Sequence, residues 1–366
     1  MATSRRIRGI IIGMALVAAA CAGAGPTAPA PGTGATRTAP PSAAASAPAT
    51  PAPATPTPAT PTPSTPEPSS TPGADLPTGL PPSPLAVVAA RVSDGRSSLL
   101  LADASGARTL VPVSGVPSGE VAARPGSDEV ALPVTVCETA DQPCGTIIVD
   151  VDVVSGSERR LTPFASGAND TSPAWSPDGS RLVFASSRKG DPYGWELYLV
   201  PAAGGDAVLL ETGLRISQAP AWSPDGDTIA FVGSGDDSRT GLYLVGAGGG
   251  PARKLIDLDG STPLAWSPDG TRIAYQATNS VETAPNEFTG FASIAVVELA
   301  GGDATVVRAT PSMNRSPAWS PDGTAIGFIL EEPGLPGRLT LMDPDGRNVH
   351  LLGTADWVDA GFAWLP

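Results

Sequence analysis

The sequence predicts an all-β fold, a six-bladed β-propeller built from four-stranded antiparallel blades, and three observations predict it. First, Ala-Trp-Ser-Pro-Asp-Gly occurs intact at Ala174–Gly179, Ala221–Gly226, Ala265–Gly270 and Ala318–Gly323, with starts 47, 44 and 53 residues apart. A fixed signature at a period near 45 marks a repeat architecture. Second, each copy is followed by a short alternating apolar run, such as Arg181–Ala185 or Thr228–Val232, then by a third such as Glu196–Val200, and by a fourth such as Ala207–Leu210. Strand, Asp-Gly turn, strand is the strongest short-range hairpin signal, because Asp and Gly accept the positive φ of a tight turn. Four strands per period, here lettered a to d with the Trp strand as a, is the arithmetic of a propeller blade. Third, the two ends complement each other. Leu85–Val113 carries runs resembling b, c and d with no a before them, while the chain finishes at Ala363–Pro366, an a with nothing after it. With a degenerate copy at Val121–Leu132 the count reaches six, and the last strand is expected to close the ring by joining the first blade, which removes the open edge of a linear array.

Residues 1–21 read as a signal peptide. Arg5, Arg6 and Arg8 precede the short apolar run Ile10–Ala20, which is too short to be a good membrane span. Leu16–Cys21 resembles the bacterial lipobox, with Ala18 where Leu is usual, and the resemblance implies lipidation of Cys21. An ordinary secretory signal with an incidental cysteine is the alternative. Residues 22–84 are Ala, Pro, Thr, Ser and Gly with almost no charge. Such a segment cannot bury a core, and it reads as a disordered, polyproline-like stalk.

Residues 85–366 form the propeller. The whole chain holds 36 acidic and 22 basic residues. Arg5, Arg6, Arg8 and Arg37, with Glu67 and Asp75, precede residue 85, which leaves 34 acidic and 18 basic residues, net −16, on the propeller. That balance argues against nucleic acid and against direct binding to an anionic membrane. Any membrane contact would be through the lipid anchor alone, and the protein is expected to be a monomer. Cys137 and Cys144 flank a short loop and in an exported protein are expected to form a disulfide, with free thiols as the alternative. With one histidine, His350, no metal-ligand set is evident, and no cofactor is called for.

The pattern 172–184 (Ser-Pro-Ala-Trp-Ser-Pro-Asp-Gly-Ser-Arg-Leu-Val-Phe) followed by Glu196–Val200 resembles the Trp-Ser-Pro-Asp-Gly repeat of TolB-like propellers, over roughly residues 85–366. The resemblance implies the propeller fold. For function it implies either a periplasmic docking platform or an accessory domain of the kind found in prolyl oligopeptidase-like peptidases. The small α/β domain that precedes the TolB propeller is replaced here by the stalk.

The a–b and most c–d turns are short and nearly identical, whereas the b–c connections vary, and function on β scaffolds concentrates in variable loops. The binding face is therefore expected on the b–c and d–a side, around the channel. Its candidate residues are Tyr193 and Phe288 from b–c connections and Asp170, Gln218, Arg315, Trp357 and Asp359 from d–a connections. The repeat Trp residues read as core between blades, and Asp178, Asp225, Asp269 and Asp322 as turn residues. No Gly-x-Ser-x-Gly elbow is present, no catalytic residue is assigned, and the chain is read as a non-catalytic platform for an envelope protein, a peptide or a wall glycan. The alternative class is an envelope glycan hydrolase or lyase with Asp170 and Asp359 as paired carboxylates.

Overall fold

The computed structural model describes residues 87–93, 96–102, 108–139, 143–189, 194–235, 239–260, 262–284, 287–308, 312–332, 335, 337–351 and 361–365. The signal peptide, Cys21 and the stalk lie outside the described residues, as do Tyr193, Trp357 and Asp359. Every regular element among them is a strand. No helix is long and apolar enough to cross a membrane.

The repeat signature does in the fold what its chemistry dictates. Asp170–Trp175, Arg181–Ser186, Glu196–Pro201 and Val208–Leu210 pair in that order, each antiparallel to the next. Ile216–Trp222, Thr228–Ser234, Thr240–Gly246 and Arg253–Asp257 repeat the arrangement. Strands a and b are joined by a turn that satisfies itself. Ser176 Oγ donates to Asp178 Oδ1 at 2.5 Å, the same oxygen accepts from the Ser180 amide at 3.0 Å, and the Gly179 amide donates to the Ser176 carbonyl. Gly179 sits at φ 65°, where a side chain would be strained. Asp225, Asp269 and Asp322 make the same bonds in their own turns.

The next eight strands, from Leu264–Trp266 to His350–Leu351, form two antiparallel groups of four that merge into one eight-stranded sheet. The join is a single parallel pairing, Ala292 with Met313. The same contact recurs elsewhere as isolated parallel bridges, Thr146 to Asn169 and Trp195 to Ile216. Neighbouring sheets therefore touch where strand c of one begins beside strand a of the next. Phe362–Trp364 pairs antiparallel with Val87–Ser93, with Trp364 opposite Val87, and Arg96–Ala102 and Arg108–Val113 complete that sheet.

Two places depart from the expected layout. The b–c connection that carries Phe288 is largely strand and not loop: Arg272–Ala284 and Glu287–Glu298 continue as a long hairpin, with Glu282 opposite Phe288. Thr278, Val281, Thr283, Phe288, Thr289 and Phe291 supply the β-branched and aromatic residues that favour such a ribbon. The degenerate strand a is split. Val116–Pro117 and Ala122–Ala123 both pair with Glu129–Val136. Gly119, at φ 118°, breaks the ladder between them, and the break leaves Glu120 unpaired in the sheet.

The core lies between sheets. Val183, Ala185 and Leu197 of one pack with Trp222, Phe231 and Tyr243 of the next, and Phe231 is fully buried. Each repeat Trp leans on the preceding blade. Trp266 Nε1 donates to the Ala221 carbonyl at 3.1 Å, and Trp364 Nε1 to that of Ala318 at 3.2 Å. Guanidinium groups cover other indoles, with Arg181 over Trp222 at 5.1 Å and Arg272 over Trp319 at 4.6 Å. These are structural tryptophans, as their periodicity implies.

Candidate functional site

Six chain segments, 120–123, 172–175, 219–222, 263–266, 316–319 and 362–364, line one cavity of about 420 Å³. Each is the stretch leading into the repeat Trp or its equivalent. In three of them strand a carries a bulge just before the Trp. Ser172, Ala219 and Ser316 adopt φ of 50°, 47° and 52°, each directly before a proline, and strand register shifts there. A non-glycine residue in the left-handed region costs on the order of 1 kcal/mol or more. The repeated bulge is therefore a built feature of the cavity wall.

The wall is mostly alanine, proline and indole. Among the described residues, Glu120 is its one ionisable residue. Ser316 Oγ donates to Glu120 Oε1 at 3.0 Å, bridging parts of the chain 196 residues apart. On the other side stands Gly361: a Cβ there would fall 1.8 Å from Glu120 Oε2. The carboxyl lies between Ser316 and Gly361, and Glu120 as a residue is half-buried and lines the cavity. Burial raises its pKa above the ordinary carboxylate value, against the Ser316 hydrogen bond and the positive charge of Arg315, which lower it.

Arg315 precedes Ser316 on the same strand, and its guanidinium binds the Glu331 carboxylate, with Nε donating at 2.8 Å. It belongs to the edge of this site. Gln218 is half-buried, directly before the bulged Ala219 and opposite Val232. Arg315 and Gln218 thus occupy equivalent positions in their repeats, one residue ahead of the bulge.

Asp170 lies elsewhere. Its side chain is 2% exposed, Ser186 Oγ donates to one oxygen at 2.6 Å, and Arg188 Nη2 donates to the other at 2.5 Å. Arg188 in turn lies over Phe184 and Tyr198 at 5.3 and 5.2 Å. This carboxylate is consumed by an ion pair within its blade, and it is not among the residues that line the cavity. Phe288 sits in the long hairpin, in Glu287–Glu298. Cys137 and Cys144 are joined by a disulfide, with Cα atoms 4.2 Å apart. Among the described residues, no group of three or more His, Cys, Asp and Glu is placed to hold a metal ion.

Glu120 was missed by sequence reasoning. The one signal that could have found it is its position, three residues ahead of Ala123, which takes the place of the repeat Trp. Ala123 pairs with Val130 as Trp175 pairs with Leu182. Glu120 therefore falls where Ser172, Ala219 and Ser316 fall.

No protein-family model matches this chain, and no curated protein does. Among solved structures, TolB from Acinetobacter baumannii matches with a TM-score of 0.60 at 22% identity, over 77% of this chain and 67% of that one. The fold is a TolB-like β-propeller. Two further matches are an oligogalacturonate lyase in complex with manganese (TM-score 0.48, 16% identity, 72% of each chain) and a puromycin-hydrolysing peptidase from Mycobacterium tuberculosis (TM-score 0.44, 16% identity). The latter match covers 74% of this chain and 52% of the peptidase, so this chain spans about half the peptidase's length. Both are enzymes, and this corrects the reading of the chain as non-catalytic. A missing sequence motif is no ground for excluding catalysis.

Proposed function

We propose that this chain is an exported binding platform of the cell envelope that holds its partner at the central cavity. Residues 1–21 direct export, Cys21 is lipidated, and residues 22–84 form a stalk that holds the propeller off the membrane. The propeller, residues 85–366, is a ring of six blades closed by its C-terminal strand, and it works as a monomer. Two features support the ring: the pairing of Phe362–Trp364 with Val87–Ser93, and the six segments that share one cavity.

The observation that carries the reading is the cavity itself. It is framed by strands, walled mainly by apolar side chains, and has one half-buried carboxylate residue, Glu120, among its described lining residues. Ligand sites have this character, concave and largely apolar with few polar groups that fix orientation. The partner is an envelope protein, a peptide or a wall glycan, and the net charge of −16 favours one that carries positive charge. Gln218 and Arg315, at equivalent positions beside the bulges, form part of its rim, with Trp357 and Asp359.

The test uses the full chain as bait on a detergent extract of its own envelope, beside a bait carrying Arg315→Ala and Trp357→Ala whose fold is verified by circular dichroism. A partner retained by the first and lost by the second supports the platform and its face. Equal retention would move the site away from this rim, and no partner on either bait would overturn the reading.

A further inference from the structure

We infer that the cavity receives the ammonium end of an aliphatic side chain, of the lysine type, with Glu120 as its counter-ion. The inference rests on the platform reading and specifies which part of the partner enters.

Charge comes first. Among the described residues, Glu120 is the one ionisable residue of the cavity wall. Arg315, whose positive charge acts on it, is bound to Glu331, so that charge is already offset. A carboxylate has about four acceptor positions, and the hydrogen bond from Ser316 occupies one of them. A ligand cation in the cavity would restore to this desolvated group the counter-charge that water provides elsewhere.

Geometry then narrows the cation. A hard metal ion such as calcium requires six to eight oxygen ligands, and the wall offers one carboxylate and the hydroxyls of Ser172 and Ser316 among proline, alanine and indole. A guanidinium is held best by a bidentate carboxylate with both oxygens presented in one plane. Here Oε1 is held by Ser316 and Oε2 lies against Gly361. An alkylammonium needs only a point counter-charge and apolar walls for its methylene stem. Gly361 fits the same picture: any side chain there would displace the carboxyl, since its Cβ would fall 1.8 Å from Oε2.

Butylammonium chloride is the probe, with butanol and butyrate of similar size as controls, each titrated against the full chain by saturation-transfer NMR. Butylammonium is expected to bind roughly tenfold or more tightly than either control, and Glu120→Gln, which keeps shape and an acceptor for Ser316, to remove that preference. Butanol or butyrate binding as tightly as the amine to the wild-type chain would overturn the inference without recourse to any variant. So would an amine preference unchanged in a folded Glu120→Gln chain. The envelope capture experiment separates the two readings. A partner held equally by wild type and Glu120→Gln defeats the ammonium assignment and leaves the platform standing. Amine binding that depends on Glu120, with no partner captured, does the reverse.

Discussion

The four Ser-Pro-Asp-Gly turns and the segment around Glu120 lie on opposite sides of the repeat Trp position, three residues after it and three before it, and treat their carboxylates in opposite ways. In the turns, Asp178 and its counterparts sit in water and accept bonds from a hydroxyl and a backbone amide, so that Asp178 and Asp269 are held down at about 2. Glu120 sits in the cavity wall, receives one hydroxyl, and is pushed up by burial. The first arrangement stabilises the charge locally and is copied four times. The second leaves the charge under-solvated and occurs once. Repetition marks what builds the ring, and the place where the repeat lapses is where a group has room to act on something else.

The comparison breaks most visibly if scaffold residues are removed. Phe231→Ala deletes a fully buried ring packed between two sheets and should cost about 3–5 kcal/mol in chemical denaturation. Asp170→Ala comes next. It leaves Arg188, whose side chain is 16% exposed, without its counter-ion, and the expected loss is about 3 kcal/mol, at the low end of the range for breaking a buried pair. A loss under about 1 kcal/mol would show that Asp170 is no structural residue and return it to the candidate site.

Much of the scaffold could be read from the sequence because its determinants are local. A Ser-Pro-Asp-Gly turn closes within six residues, and alternation across a strand reports its own two faces. Asp170 illustrates what is not local. Its position before a repeat Trp suggested the channel mouth, but its partners are Ser186 and Arg188 on the neighbouring strand and beyond, and only the pairing register brings them together. Glu120 is further still from legibility. It lies in the copy that lost its Trp, and its surroundings are Ser316 and Gly361, nearly two hundred residues or more along the chain. The long hairpin at Arg272–Glu298 was legible in its β-branched and aromatic residues, and reading every b–c connection as a variable loop hid it.

Glu120→Gln sharpens the comparison from the other side. A carboxyl raised by burial destabilises the fold while charged, so replacing it with an amide of the same shape should leave stability within about 1 kcal/mol of the native chain or raise it slightly. A loss as large as that expected for Asp170→Ala would place Glu120 with the scaffold.

The smallest effect is in the pH dependence, and its two limbs have opposite signs. Asp150, buried in its strand beside Glu129 and paired with Arg159, is held near 6, against 3.8 for the ordinary side chain. Its folded value is raised, so its contribution to stability is fully present below about 3.8 and is lost as pH rises through 6. Glu120 acts in the same direction. For Asp178 and Asp269 the folded value is depressed to about 2, so their contribution is present above 3.8 and is lost as pH falls towards 2. Stability should therefore rise as pH falls from neutrality to between about 6 and 4, and then decline. Thermal midpoints of the native chain, Asp150→Asn and the double change Asp178→Asn with Asp269→Asn test this limb by limb. Asp150→Asn should flatten the rise and leave the acid decline, because an amide cannot titrate. The double change should shrink the acid decline and leave the rise. If the double change altered the neutral limb instead, the turn carboxylates would be coupled to Asp150 or Glu120, and the separation between the copied turns and the carboxyls raised by burial would fail.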